Sequence, residues 1–477
     1  MGALRDFANR YLGYDAVISK AHRRSTPSVT QSEDRELTKQ QRRKLIAGTR
    51  DIRRNFEIAA WAIRKHLDYV SSFSFRSTSG NPDWDKAVQA LITRQSKPEN
   101  CDAAGKKSLR KLIRLAEALR TVDGDTGLLK LNSRQIQIIE GDRIKNPPTE
   151  GNDLLDDSRW THGVKTNKQG RALAYGIHTR RGQSLHFERT IASSQMYLHG
   201  YYDRADQVRG ISPVAASLNR MQDTYEGLNH SLAKAKTLQL LGLVLNRQVT
   251  RADEWDTEDD CEDIEDALGD FNLDPSKGPF TLDLGPEDKA SLLQTNHPNN
   301  EFQAFMQMCI SIALKSLDLP YFFFDESKLN FFGGKVALSN YLISCNDKRQ
   351  DNIDLLVWWT RWQVGTAIAR GELNPADYGL TWEDIDGSWR WIPRGIPWWD
   401  KGREITGDIL SINAGLEDRS SIIESRTGNQ FEDVADRLRE EQDYLQAKGV
   451  IVSGPKDLLD FAMRMNSVPD QSGSDSE

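Results

Sequence analysis

The sequence predicts an α+β fold that includes unusually long helices, and three observations carry that reading. Apolar residues recur at three- and four-residue steps between Ile52 and Val70, the spacing of a helix with one buried face. Period-two alternation then appears at Gly127-Leu-Leu-Lys-Leu and Ile136-Gln-Ile-Ile, which marks strands. Two long stretches, 212–240 and 335–373, carry no proline after their first turn, so each can run as one helix. At 477 residues the chain has material for roughly two to four packed units. Hydrophobic residues are 38%, charged residues 28% and net charge −7. That balance excludes a highly charged disordered chain and a protein that holds nucleic acid by bulk attraction.

In chain order, residues 1–60 are basic, with Arg23, Arg24, Arg42, Arg43, Lys44, Arg50, Arg53 and Arg54. The stretch is polar up to about Lys39, where a helix begins whose arginines form its wet side. A second helix carries Leu109, Leu112, Ile113, Leu115, Ala116 and Leu119 and ends near Asp123-Gly124. After the alternating strands, Val164–Thr166 and Ala172–His178 flank Asn167-Lys-Gln-Gly170 and read as a hairpin whose glycine supplies a positive φ. Ser212-Pro213 then starts a long helix with a capping side chain and a first-turn proline. Its apolar stripe is Val214, Leu218, Met221, Tyr225, Leu228 and Leu232.

Leu240–Leu245 and Phe280–Leu284 read as strands around the acidic run 253–270 (DEWDTEDDCEDIEDALGD). The run lacks the ligand spacing and closing glutamate of an EF-hand. It reads either as a metal-binding or repelling surface or as a solvated helix or loop, and a charged surface on a small β-containing module fits it better than a calcium site. Another helix runs from Asn299 or Asn300 through Leu317 until Pro320 stops it. Tyr321-Phe-Phe-Phe324, Asp325–Asn330, Phe331-Phe332 and the double glycine Gly333-Gly334 follow, with the glycines placed as a hinge before a helix from Lys335 to about Leu373. A segment with Trp382, Trp389, Trp391, Trp398 and Trp399 reads as packed loops and short strands. Two short helices, Asp418–Thr427 and Asn429–Lys448, end at Gly428 and Gly449. Asn429 and Glu432 stand at capping-box spacing. The last residues, SVPDQSGSDSE, read as a disordered acidic tail.

Chemistry is sparse. Cys101, Cys261, Cys309 and Cys345 stand far apart, and no cysteine or histidine pattern has metal-ligand spacing. No metal and no cofactor is expected. Neither Gly105-Lys-Lys-Ser nor Gly333-Gly-Lys-Val completes a phosphate-binding loop, and no nucleophile elbow or dinucleotide turn is found. The residues therefore read as non-enzymatic. The N-terminal stretch lacks the apolar run of a secretory signal and has no serine or threonine at the sixth position for myristoylation. No run approaches the roughly 18 apolar residues of a membrane span. The expectation is a soluble, cytoplasmically made protein.

The order of these parts resembles the lambda-like family of phage portal proteins. The likeness is carried by Asn55-Phe56, by Ile139-Glu-Gly-Asp-Arg-Ile144, and by Gly163–Tyr175 with Gly170-Arg-Ala-Leu-Ala-Tyr175 inside it. It continues through Gln207-Val-Arg-Gly-Ile-Ser-Pro213, Leu319-Pro-Tyr321, Trp399-Asp-Lys-Gly-Arg-Glu404, Gly415-Leu-Glu-Asp-Arg419 and Glu440–Gly449. The resemblance implies a ring, usually of twelve copies, at a capsid vertex of the virion. Through its channel a terminase drives double-stranded DNA, which later leaves toward the tail. It also implies head-tail adaptors and the capsid or scaffold protein as partners.

By position, it makes 1–211 an N-terminal arm and wing, 212–240 a first stem helix, 241–291 a clip and 292–320 a second stem helix. Residues 321–334 become a tunnel loop, 335–373 a long kinked helix, 374–465 a C-terminal wing or crown, and 466–477 a tail. Lys328, Asn330 and Lys335 are the candidate DNA contacts, weak because a conduit that neutralised many phosphates would act as a brake; the other reading of these three is an ordinary solvated loop. Asp256, Glu258, Asp259, Asp260, Glu262 and Asp263 are the candidate docking acids for terminase or adaptor. The rival readings are a metal-dependent DNA-processing enzyme, whose acids in 253–270 would hold Mg²⁺, and another head-tail connector component.

Overall fold

The chain divides into two units, at Leu218/Asn219 and at Ile312/Ala313. The computed structural model describes residues 30, 32–148, 159–182, 184–240, 243–246, 289–292, 300–328, 331–395 and 401–449. The first unit opens with two helices, α1 (Lys39–Asn55) and α2 (Glu57–Val70), where the apolar spacing suggests one. The break falls at Phe56, whose extended backbone (φ −115°, ψ 113°) turns its side chain into the interior at 3% exposure. Thr38 and Gln41 form a reciprocal capping box that starts α1.

Strand β1 (Phe73–Ser77) and helix α3 (Pro82–Gln95) follow. The start of α3 is set by Asn81, whose Oδ1 accepts from Asp83 N at 3.1 Å and Trp84 N at 3.2 Å. Helix α4 (Leu109–Asp123) then ends at Gly124, where φ is 96°. Seven strands come next: β2 (Asp125–Lys130), β3 (Ile136–Glu140), β4 (Arg159–Thr161), β5 (Val164–Thr166), β6 (Ala172–Arg181), β7 (Ser184–Ala192) and β8 (Met196–Gly200). They form an antiparallel three-stranded sheet of order β3-β2-β8 and an antiparallel four-stranded meander β4-β5-β6-β7. The turn between β5 and β6 contains Gly170 at φ 83°, and Asn167 Oδ1 accepts from Gln169 N and Arg171 N.

Alternation along the three-stranded sheet makes it a wall between two cores. Leu128 and Ile136 face a cluster with Trp84, Leu112 and Trp359; Leu129 and Ile139 face another with Val164, Tyr175 and Ile177. Each such side chain contributes about 1.5–3 kcal/mol by leaving water. In the second unit, α5 (Leu218–Leu240) leads to β9 (Leu243–Asn246), which pairs antiparallel with β10 (Lys289–Leu292) before α6 (Asn300–Leu314). The helix expected from Ser212 begins differently: Pro213–Ser217 winds as a 3-10 turn, with Ser212 Oγ accepting from Val214 N. The strand expected at Phe280–Leu284 lies outside the described residues.

Back in the first unit, α7 runs unbroken over 39 residues, Phe331–Ala369, about 58 Å at 1.5 Å per residue. It starts and ends four residues before the expected Lys335–Leu373. Its end is a Schellman motif, because Gly371 takes φ 70° while Glu372 N donates to Ala367 O and Gly371 N to Ile368 O. β11 (Trp389–Pro393) pairs with β1 from Phe73↔Pro393 to Ser77↔Trp389, joining residues some 300 positions apart. Trp389 and Trp391 are thereby core residues, while Trp382 is 41% exposed; Trp398 and Trp399 lie outside the described residues. Helices α8 (Lys401–Asn413), α9 (Arg419–Thr427) and α10 (Phe431–Ala447) follow.

Candidate functional site: a buried arginine junction, the aromatic loop and the head of the long helix

The motifs that are scattered in sequence meet at one buried point. Asp125, the first residue of β2, receives Arg209 side-on, Nε to Oδ2 and Nη2 to Oδ1, both at 2.7 Å. Arg42 Nη2 adds a 3.0 Å bond and Gly210 N a 2.9 Å bond to the same carboxylate. The remaining donors of Arg209 reach Gly141 O at 2.8 Å, Ile144 O at 3.0 Å and His162 O. Burial alone would raise the Asp125 carboxyl, but Arg209 and Arg42 outweigh it and hold it below the ordinary aspartate range. Arg42 is lowered to about 10, by burial first and then by Arg209.

Glycine is required here by space. A Cβ on Gly210 would stand 2.2 Å from Gly124 O, one on Gly124 would stand 2.5 Å from Gly210 O, and one on Gly141 2.6 Å from Asp125 O. The 139–144, 163–175 and 207–213 motifs therefore share a role as walls of one ion-paired junction. Immediately beyond it Ser212 Oγ donates to Thr121 O at 2.6 Å, and Ser217 Oγ to Ser316 Oγ at 2.9 Å. The last bond ties together the turns that precede α5 and follow α6.

A second network fixes α7 to the body. Glu117 accepts from Tyr201 Oη and Asn352 Nδ2, each at 2.9 Å, and lies 3.0 Å from Arg120 Nε. Arg120 also donates to Asp351 at 2.7 Å. His66 and His199 each stand 3.5 Å from the Glu117 carboxylate, and Tyr341 Oη is 3.4 Å from His66 Nδ1. Burial pushes both imidazoles down despite Glu117, so they stay neutral. The Glu117 carboxyl, which burial would raise, is held well below its usual range chiefly by Arg120. Buried and joined to residues from α2, α4 and α7, the Glu117 and Arg120 side chains position helices.

The aromatic loop is pinned at its start. Phe323 stacks on Tyr69 with centroids 5.6 Å apart and meets Tyr341 edge-on at 5.4 Å, while Phe324 meets Trp61 at 6.0 Å. Asp325 Oδ1 accepts from Ser327 N and Oγ. Lys328 closes the 3-10 turn Glu326–Lys328, and Asn330 lies outside the described residues. Lys335 is in the first turns of α7, half exposed, with Nζ 3.4 Å from Glu404 Oε1. Gly333 and Gly334 sit inside that helix rather than ahead of it. Helix elongation adds a hydrogen bond per residue, which carries it through two glycines that each cost about 1 kcal/mol against alanine.

Asp256, Glu258, Asp259, Asp260, Glu262 and Asp263 lie outside the described residues. Among the described residues no group of three or more His, Cys, Asp or Glu could hold a metal ion, and no helix is long and apolar enough to cross a membrane. Sequence reasoning missed Asp125, Arg42 and Glu117 as key residues. The signal that could have found the first junction was the set of glycines at 124, 141 and 210.

A body braced by ion-paired junctions, with a helical unit inserted between two bonded turns, is the build of a structural scaffold. The model for "phage portal protein, lambda family" matches residues 20–337. The chain therefore belongs to the lambda family of phage portal proteins, and its role is that of a portal, the head-tail connector. No curated protein sequence matches it. Similar solved structures include a chain of the virion of the native gene transfer agent particle, 11% identical over 79% of this chain and 92% of that one, TM-score 0.46. Others come from the neck of the empty particle computed with C6 symmetry (11%, 80% and 92%, 0.48) and the neck of the native particle computed with C12 symmetry (10%, 80% and 93%, 0.45).

Proposed function

We propose that copies of this chain assemble as a closed ring, with twelve as the working number, at one vertex of a phage capsid. Its channel passes double-stranded DNA inward under a terminase and outward to the tail. The observation that carries this reading is membership of the portal family across residues 20–337. The net charge of −7 agrees with a conduit that grips DNA weakly. So does Lys335, whose half-exposed ammonium already has the buried carboxylate of Glu404 beside it. Lys328, Asn330 and Lys335 are proposed as transient phosphate contacts. The acids Asp256–Asp263 are proposed to dock a basic face of the terminase or adaptor, and the capsid or scaffold protein to hold the ring in the shell.

Negative-stain imaging of the purified chain tests the reading. A turbine-like ring with a central hole is expected. A monomer that cleaves DNA only with a divalent cation would replace the portal reading by that of a nuclease.

A further inference from the structure

A half-open cavity in the first unit lies under a rim of positive charge. It encloses about 280 Å³ between α3, α4, β1, α7 and β11, over a floor of Phe75, Ile92, Ile113, Leu356 and Trp391. Apolar space of about 150 Å³ accepts a benzene ring, so this cavity takes an aromatic side chain. In a chain of net charge −7, the two segments that wall it, 86–98 and 103–116, carry eight lysines and arginines and no aspartate or glutamate. Arg94 pairs with Glu372 and Arg114 with Asp68. Arg110 stands exposed at the mouth, with Lys107 one turn away. Asp102, between the two segments, is engaged by the backbone N–H groups of Lys106 and Lys107, each at 3.0 Å.

We propose that the cavity seats Phe461 of the same chain, with Asp457 and Asp460 on Arg110 and Lys107. Residues 450–477 lie outside the described residues, and within them Asp457-Leu-Leu-Asp-Phe461 alternates acids with apolar groups. An acidic stretch with one aromatic anchor complements an apolar hole with a basic rim. Duplex DNA would meet the same cations but has no side chain to fill the hole. Reach allows the seating. Helix α10 starts beside β1, where Asp433 pairs with Arg76, and runs about 25 Å at 1.5 Å per residue. Phe461 lies twelve residues past Gly449, about 40 Å of extended chain. That length returns along α10 and crosses β1, whose Phe75 faces the cavity and whose Arg76 faces the helix.

Two measurements on the full chain test this. With p-benzoylphenylalanine in place of Phe461, irradiation should give an adduct with residues 71–113, 356 or 391 at the mass of a single chain. Adducts elsewhere, or adducts that join two chains, overturn the seating. Hydrogen exchange of 457–463 should be at least tenfold slower in the unaltered chain than in Phe461→Ser or in Lys107→Glu/Arg110→Glu. Adding Asp457→Lys/Asp460→Lys to the double glutamate variant should restore slow exchange. Position 110 is exposed in the first turn of α4, where glutamate suits the helix dipole, so that variant keeps its fold. Equal exchange in the unaltered chain and both variants overturns the proposal, and loss without restoration overturns the pairing of charges. Fast exchange of 457–463 in an unaltered chain that binds duplex DNA through Lys107 and Arg110 would overturn it too, and assign the rim to nucleic acid.

Discussion

The two units of the chain differ in the charge they withdraw from water. In the first, Asp125, Arg209, Glu117 and Arg120 are withdrawn from water and paired with one another and with backbone carbonyls. In the second, Phe305, Met308, Ile312 and Leu232 are about half exposed on helices that bury only part of their apolar surface. A buried ion pair is weak evidence for stability but punishes the loss of one partner severely. An uncovered apolar face adds nothing to folding and becomes favourable only on association. The first unit therefore rests on buried charge pairs, while it too leaves apolar side chains in water, at Val336, Ile343, Leu410 and Leu416.

The sharpest break in that comparison comes from Arg209→Ala. It leaves the buried Asp125 carboxylate with Arg42 as its one remaining cation and Gly210 N as its backbone donor, and chemical denaturation should show a loss of about 3–5 kcal/mol. A loss under about 1 kcal/mol would mean the junction does not hold the body together. Gly124→Ala is next. A side chain at φ 96° with a carbonyl 2.5 Å from its Cβ should cost at least the roughly 1–3 kcal/mol of a strained backbone position, read as a lower melting temperature.

Acid should act on the first unit too. His66 and His199 have depressed pKa values when folded, so unfolding takes up protons below about pH 6.5, their ordinary value. Their contribution is fully present above that pH and is lost as pH falls toward the folded values. The slope is at most about 1.4 kcal/mol per pH unit for each histidine. Replacing His66 with Gln should flatten the stability profile between pH 7 and pH 5; an unchanged slope would place the titration elsewhere. The smallest effect belongs to the second unit. Leu232→Ser should leave the stability of the isolated chain within about 0.5 kcal/mol, and a larger loss in thermal denaturation would show that the residue already packs within its own chain.

What the sequence revealed was local. Asp418 caps α9 by accepting from Ser421 N at 2.9 Å, and Gly428 ends it in the left-handed region, both interactions reaching only a few residues. The pattern at Asn429 and Glu432 misled for a related reason. Asn429 N is engaged by Thr427 Oγ1, Gln430 becomes the residue before α10, and the helix starts at Phe431. Helix α8 was not anticipated; its Gly402 and Gly407 argue against it, and Arg426 holds it through Glu404 at 2.8 Å and Asp408 at 3.0 Å. The Asp125–Arg209 junction joins residues 84 positions apart, a separation with no periodic signature. The stripe through Leu228 and Leu232 was legible as apolar, but its exposure was not, because period says which face is apolar and not what covers it.

Hydrogen–deuterium exchange on separated monomer and assembled forms tests the contrast most directly. Amides of 225–232 and 305–312 should gain protection on assembly, while those of 109–129 should exchange equally slowly in both. Equal protection of the two helical stretches in monomer and assembly, or a body that becomes protected only on assembly, would contradict the account.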